Sequence, residues 1–322
     1  MRFVPTLNLE SPTASVTKMK SILHCVASIA WLLCSQASGA PLSSSPTSIT
    51  PVVAPSWLQE NLDDPNLIIV DIRTSALYES SHVPGSLSIP FAYDSVWSRA
   101  VEGDTLIMPP EDELFPDLSA LGFTTEKNVV IVTTTALIPR NLVEATRVAA
   151  TLQYAGLATN KVGILDGGIE GWVRAGGPTS TDPVTPTPAT FTGPMDESVV
   201  VERAYVHASL NRLDEGIALV DARPSTAYVD GHIESALSIP LLNIWNEDGT
   251  FKPASDLLVL FEAAVGDAPV SATEGEVIVY CFIGLMATSW HFVLTNVLEF
   301  ENVRLYDGSV EDWTKEYPLV KG

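Results

Sequence analysis

Short apolar runs without polar alternation recur along this chain. Residues 67–71 (LIIVD), 129–133 (VVIVT) and 162–165 (VGIL) in the first half are matched by 218–221 (ALVD), 277–280 (VIVY) and 303–306 (VRLY) in the second. Runs this short and this rich in β-branched residues predict strands buried on both faces. Stretches of helical periodicity lie between them, such as residues 141–154 and 287–298. Strands alternating with helices predict an α/β fold, a mainly parallel sheet with helices on both faces. Reactive groups of such sheets gather at the carboxyl ends of the strands.

The pattern occurs twice because the chain repeats itself. Residues 69–90 (IVDIRTSALYESSHVPGSLSIP) align with 219–240 (LVDARPSTAYVDGHIESALSIP) at a constant offset of 150. Asp71 pairs with Asp221, Arg73 with Arg223, Tyr78 with Tyr228, His82 with His232 and Pro90 with Pro240. Later, DGGIEGW at 166–172 is echoed by DGSVEDW at 307–313. Two tandem domains are therefore expected, 52–178 and 198–322. The Pro- and Thr-rich stretch 179–197 between them reads as an extended linker.

Composition narrows the possibilities. A hydrophobic content of 46% with 17% charged residues describes a chain with a real core. The formal charge of −22 argues against nucleic acid, whose phosphates need Lys and Arg. Residues 1–39 read as a secretory signal: Lys18 and Lys20, an apolar stretch from Ile22 to Cys34, then small residues at Ser35, Ala37 and Gly39. A mitochondrial presequence is the alternative. The apolar run is short and carries His24 and Ser28, so no stable membrane insertion is expected after cleavage. Removal of the segment takes Cys25 and Cys34 with it and leaves Cys281 as a single thiol without a disulfide partner. No spacing of Cys and His suggests a metal, and no glycine loop suggests a phosphate cofactor.

Cys281 directly follows the VIVY run. The loop Phe282, Ile283, Gly284, Leu285, Met286 separates it from a helix beginning near Ala287. Backbone N–H groups of such a loop and of the first helical turn would converge on the sulfur and stabilise a thiolate or persulfide anion. The competing reading is a small buried hydrophobe at the end of a core strand.

The D-x-R…GH-I…IP segment, the Cys-x-x-Gly-x-x-Ala loop and the DG(G/S)-x-x-x-W segment, taken in order, resemble the rhodanese family. The two-domain thiosulfate and mercaptopyruvate sulfurtransferases are the nearest in shape. That resemblance implies a sulfurtransferase needing no cofactor. Cys281 would accept sulfane sulfur from a small sulfur donor and pass it to a thiol or cyanide. Residues 282–287 would form the cradle, and Arg223 would hold the substrate's anion, unless it pairs instead with Asp221 or Asp230. Aligning VVIVTT with VIVYC puts Thr134 at the cysteine position of the first half, which is then silent. His82 and His232 recur in both halves, which favours a structural role over a proton relay. The cradle carries neither the cation of thiosulfate enzymes nor the serine of mercaptopyruvate enzymes, so an apolar donor such as an organic or protein persulfide fits it better. The other functional class open to the sequence is a rhodanese-like binding module without catalysis.

Overall fold

Two five-stranded parallel sheets of identical topology organise the chain. A computed structural model describes residues 49–101, 106–266, 268 and 270–322; the expected targeting segment 1–39 lies outside them. In chain order the first half runs β1 (Val52–Val53), α1 (Pro55–Glu60), β2 (Leu67–Asp71), α2 (Ser75–Ser80), β3 (Leu87–Ser88), a β4–β5 ribbon (Arg99–Ala100 and Leu106–Ile107), α3 (Glu111–Ala120), β6 (Asn128–Val132), α4 (Arg140–Tyr154), β7 (Val162–Leu165) and α5 (Gly168–Arg174). The second runs β8 (Val200–Val201), α6 (Arg203–Ser209), β9 (Ile217–Asp221), α7 (Ser225–Asp230), β10 (Leu237–Ser238), α8 (Ala254–Val265), β11 (Glu276–Tyr280), α9 (Ala287–Phe292), β12 (Val303–Tyr306) and α10 (Ser309–Trp313). The sheet orders are β1-β7-β6-β2-β3 and β8-β12-β11-β9-β10. The predicted α/β class is the observed one.

Residue parity along each strand decides which core a side chain enters. In β6, Val129 and Ile131 face the core shared by both halves, whereas Val130 and Val132 face an outer core of the first half. In β11, Val277 and Val279 face the shared core, followed by Cys281, and Ile278 and Tyr280 face the outer core of the second half. The helix-facing inner surfaces thus merge into one apolar mass. Helix α4 crosses it, with buried Val148, Ala149 and Leu152 packed in the same cluster as Trp290 and Leu294.

Polar bonds then stitch the halves together. Thr146 and Thr288 share a hydroxyl hydrogen bond of 2.8 Å, and Gln153 donates to Asn296 at 2.7 Å. Arg147 of α4, fully buried, donates to both carboxylate oxygens of Asp307 and to Ser98 Oγ. Residues 181–196 contain no helix or strand, and Ala189 N–H bonds the first half at Ser119 O.

Candidate functional site

The strand–loop–helix junction after β11 is built around the Cys281 sulfur. Its side chain points toward the shared core and is 0% exposed. The N–H groups of Ala287, Ile283 and Met286 converge on Sγ, and the Ser309 hydroxyl lies 4.0 Å away. The donors are those expected of a cradle, but their effect is outweighed. Burial pushes the thiol up, against the pull of those three amides and of Ser309. Placement at a strand end sets the donors, while complete loss of solvent sets the balance.

Ser309 and Asp307 belong to this site, although the repeated DG(G/S)-x-x-x-W segment that contains them had given neither a role. Ser309 Oγ accepts from Cys281 N–H at 2.9 Å and from Gly284 N–H at 3.1 Å, and donates to Tyr306 O at 2.8 Å. It does so from a left-handed backbone, φ 52°, where the first half has Gly168 at φ 58°. A serine where glycine fits without strain was the legible signal. Asp307 braces the loop from below: a Cβ on Gly284, at φ 83°, would lie 2.3 Å from the Asp307 carbonyl oxygen. Through Arg147 that brace is held by the other half of the chain.

Arg223 lies beside the loop but is already engaged. Its Nε and Nη2 grip Asp221, the shortest contact being 2.6 Å, and Nη2 also donates to Gly231 O. Its guanidinium lies 5.0 Å from the centre of the Phe282 ring, which is 39% exposed. Arg73 makes the same pair with Asp71 and the same bond to Ser81 O. A pair that recurs in the half without a thiol serves the strand-end turn in both. The histidines act likewise. His82 Nδ1 bonds Tyr78 O and its ring stacks on Tyr78 at 3.8 Å, and His232 repeats both contacts on Tyr228.

The sheet register corrects one alignment. Asp71 pairs with Val132 as Asp221 pairs with Tyr280. Ile169 N–H bonds Thr133 O as Val310 N–H bonds Cys281 O. Thr133, not Thr134, therefore takes the place of Cys281. Runs of β-branched residues look alike after a one-residue slip, and only the ladder distinguishes them. The position is still a hydroxyl. Pro139, without an N–H, precedes α4 where Met286, whose N–H faces Sγ, precedes α9, and the Thr135 N–H is taken by the Glu170 carboxylate at 2.9 Å. That half has lost the thiol and part of its donor ring together.

The family model of the rhodanese-like domain matches residues 54–175 and 205–316, one copy on each sheet. The chain belongs to the rhodanese-like family. Among its relatives is the sulfur carrier protein TtuD of Thermus thermophilus, 29% identical over 293 residues, covering 84% of this chain and 96% of that protein. Rat thiosulfate sulfurtransferase is 25% identical over 294 residues, covering 83% and 93%. The crystal structure of the 3-mercaptopyruvate sulfurtransferase SseA from Escherichia coli superposes with a TM-score of 0.66 at 25% identity, covering 81% of this chain and 99% of that one. The duplicated sheet is thus the rhodanese fold in tandem. Among the described residues no helix is long and apolar enough to cross a membrane.

Proposed function

We propose that this rhodanese is a sulfurtransferase that carries sulfane sulfur as a persulfide on Cys281 and hands it to a thiol or to cyanide. The observation that carries this reading is the convergence of the Ile283, Met286 and Ala287 N–H groups on Sγ, which suits an anionic sulfur. The names of its relatives, sulfur carrier and thiosulfate sulfurtransferase, support the same chemistry. The Cys281 thiolate attacks the outer sulfur of a persulfide R–S–SH. The new S–S bond forms as the old one breaks, and RS⁻ leaves with the electron pair. Cys281–S–SH then loses its proton to solvent. Attack by cyanide or a thiolate on the terminal sulfur returns the Cys281 thiolate. Because Sγ is closed off in this conformation, the loop must part from it before a donor can reach it.

Donor class follows from charge. Residues 282–286 bring no cation, and Arg223 is neutralised by Asp221, so a dianion such as thiosulfate meets little besides peptide dipoles. An organic or protein persulfide is the donor that fits. The first half acts as a scaffold in this reading, and residues 1–39 direct export, which N-terminal sequencing of the secreted protein would check.

Intact mass after incubation with glutathione persulfide tests the chemistry. A gain of one sulfur atom on the wild type, absent from Cys281→Ala, is the expected result. Full burial of Sγ favours one other reading, a binding module without catalysis. An unmodified Cys281 under all donors would replace the first reading with the second.

A further inference from the structure

An open cavity of about 330 Å³ lies where β9 and β11 end, lined by Arg223, Ala227, Asp230, Gly231, Phe282 and Leu319. Phe282 directly follows Cys281, and Arg223 stands close enough to Cys281 for their charges to interact. The cavity is the vestibule beside the thiol.

Its walls carry one charge that nothing neutralises. Arg223 is 3% exposed, spends Nε and Nη2 on Asp221 and Gly231 O, and has the Phe282 ring 5.0 Å from its guanidinium. That cation is already paired and offers an incoming anion little. Asp230, the last residue of α7, is exposed and has no ion pair or side-chain hydrogen bond among the described residues. Ala227, Leu319 and the Phe282 ring supply apolar surface. The vestibule is an apolar bowl with a free carboxylate at its edge.

The duplicated half is a built-in control. At the offset of 150, Ser80 stands where Asp230 does and Leu77 where Ala227 does; by the sheet register Thr134 stands where Phe282 does. The Arg73–Asp71 pair and its bond to Ser81 O are retained there. What both halves keep serves the strand-end turn, whereas the carboxylate and the ring accompany the thiol.

We propose that this vestibule selects small cationic thiols, amines that carry a thiol and no carboxylate, as the sulfur acceptors of Cys281. The ammonium pairs with Asp230, and the carbon chain lies on Phe282, whose exposed ring also attracts an organic cation. The acceptor thiolate attacks the outer sulfur of Cys281–S–SH. A new S–S bond forms as the Sγ–S bond breaks, Cys281 leaves with the electron pair as a thiolate, and the acceptor departs as R–S–SH. The formal charge of −22 works in the same direction at longer range. The choice of acceptor rests on the sulfurtransferase reading; the charge preference is a property of the entrance itself.

Three methanethiosulfonates test the entrance on the whole chain without any sulfur donor: the cationic trimethylammonioethyl, the neutral hydroxyethyl and the anionic sulfonatoethyl reagents. Each forms a disulfide with Cys281 and releases methanesulfinate, and each rate is divided by that with 2-mercaptoethanol. The cationic reagent outpaces the anionic one about tenfold at low salt, and about 0.5 M salt removes most of the difference. Asp230→Asn, an exposed substitution that leaves the fold intact, narrows the ratio about three- to fivefold, and Asp230→Lys lowers it further. Asp214→Asn, an exposed carboxylate just before β9 at the other end of the sheet, leaves the ratio unchanged. Protein loaded with excess glutathione persulfide then transfers sulfur to cysteamine faster than to 2-mercaptoethanesulfonate, at equal thiolate concentration. Equal normalised reagent rates, no reaction of native Cys281 with any reagent, or equal effects of Asp230→Asn and Asp214→Asn would each overturn the proposal. Failure of transfer to every thiol, with the reagent preference intact, would overturn the sulfurtransferase reading and leave a cation-selective entrance.

Discussion

Arg147 and Asp307 join the two halves under the cysteine loop, and breaking that pair offers a quantitative test. The Arg147 side chain is 0% exposed and that of Asp307 5%, so neither charge is relieved by water. At about 3 Å and an effective dielectric near 20 the attraction is on the order of 5 kcal/mol. Arg147→Met leaves the Asp307 carboxylate with the Met108 N–H, 2.7 Å away, as its one remaining bond among the described residues. Stranding one member of a buried pair costs about 3–5 kcal/mol, and Asp307→Asn strands the guanidinium at a similar cost. The double variant removes both charges and loses no more than about 2 kcal/mol, so the coupling energy is about 4 kcal/mol or more. Urea denaturation of the four proteins with linear extrapolation measures it. A double variant as unstable as the sum of the singles would refute the reasoning. Because Asp307 packs against Gly284, Arg147→Met also speeds alkylation of Cys281 under native conditions.

Three further outcomes are expected. Ser309→Ala loses the acceptor of the Cys281 and Gly284 N–H groups and costs about 2–3 kcal/mol, while Ser309→Gly costs about 1 kcal/mol less because glycine accepts the left-handed backbone; paired urea melts decide the order. His291 is fully buried and burial pushes its pKa down to about 4 from 6.5, opposed weakly by Asp196. The unfolded chain then binds a proton that the folded chain does not between those values, so stability falls as pH drops through that window, by up to about 3 kcal/mol; His291→Leu flattens the slope, and an unchanged slope would contradict the assignment. Native Cys281 reacts with iodoacetamide far more slowly than in urea, because Sγ has no exposed surface; equal rates would mean that the loop is open in solution.

Much of this architecture was written locally. Strands buried on both faces must be continuous apolar runs, so β2, β7 and β12 were legible from the residues alone, and duplication made the topology of one half a copy of the other. The position of Cys281 between a strand and a helix was equally local, and so was the set of amides facing it. Three features were decided by packing across long sequence separations. Which threonine replaces the cysteine depends on the ladder between β2 and β6, and self-similar valine runs do not encode it. The protonation of the thiol depends on how completely the surrounding core excludes water. The Arg147–Asp307 lock spans two domains, and no short-range pattern pairs them. Local hydrogen bonding and side-chain periodicity are properties of neighbours in sequence, whereas desolvation, register and ion pairs between domains become defined only when distant segments meet.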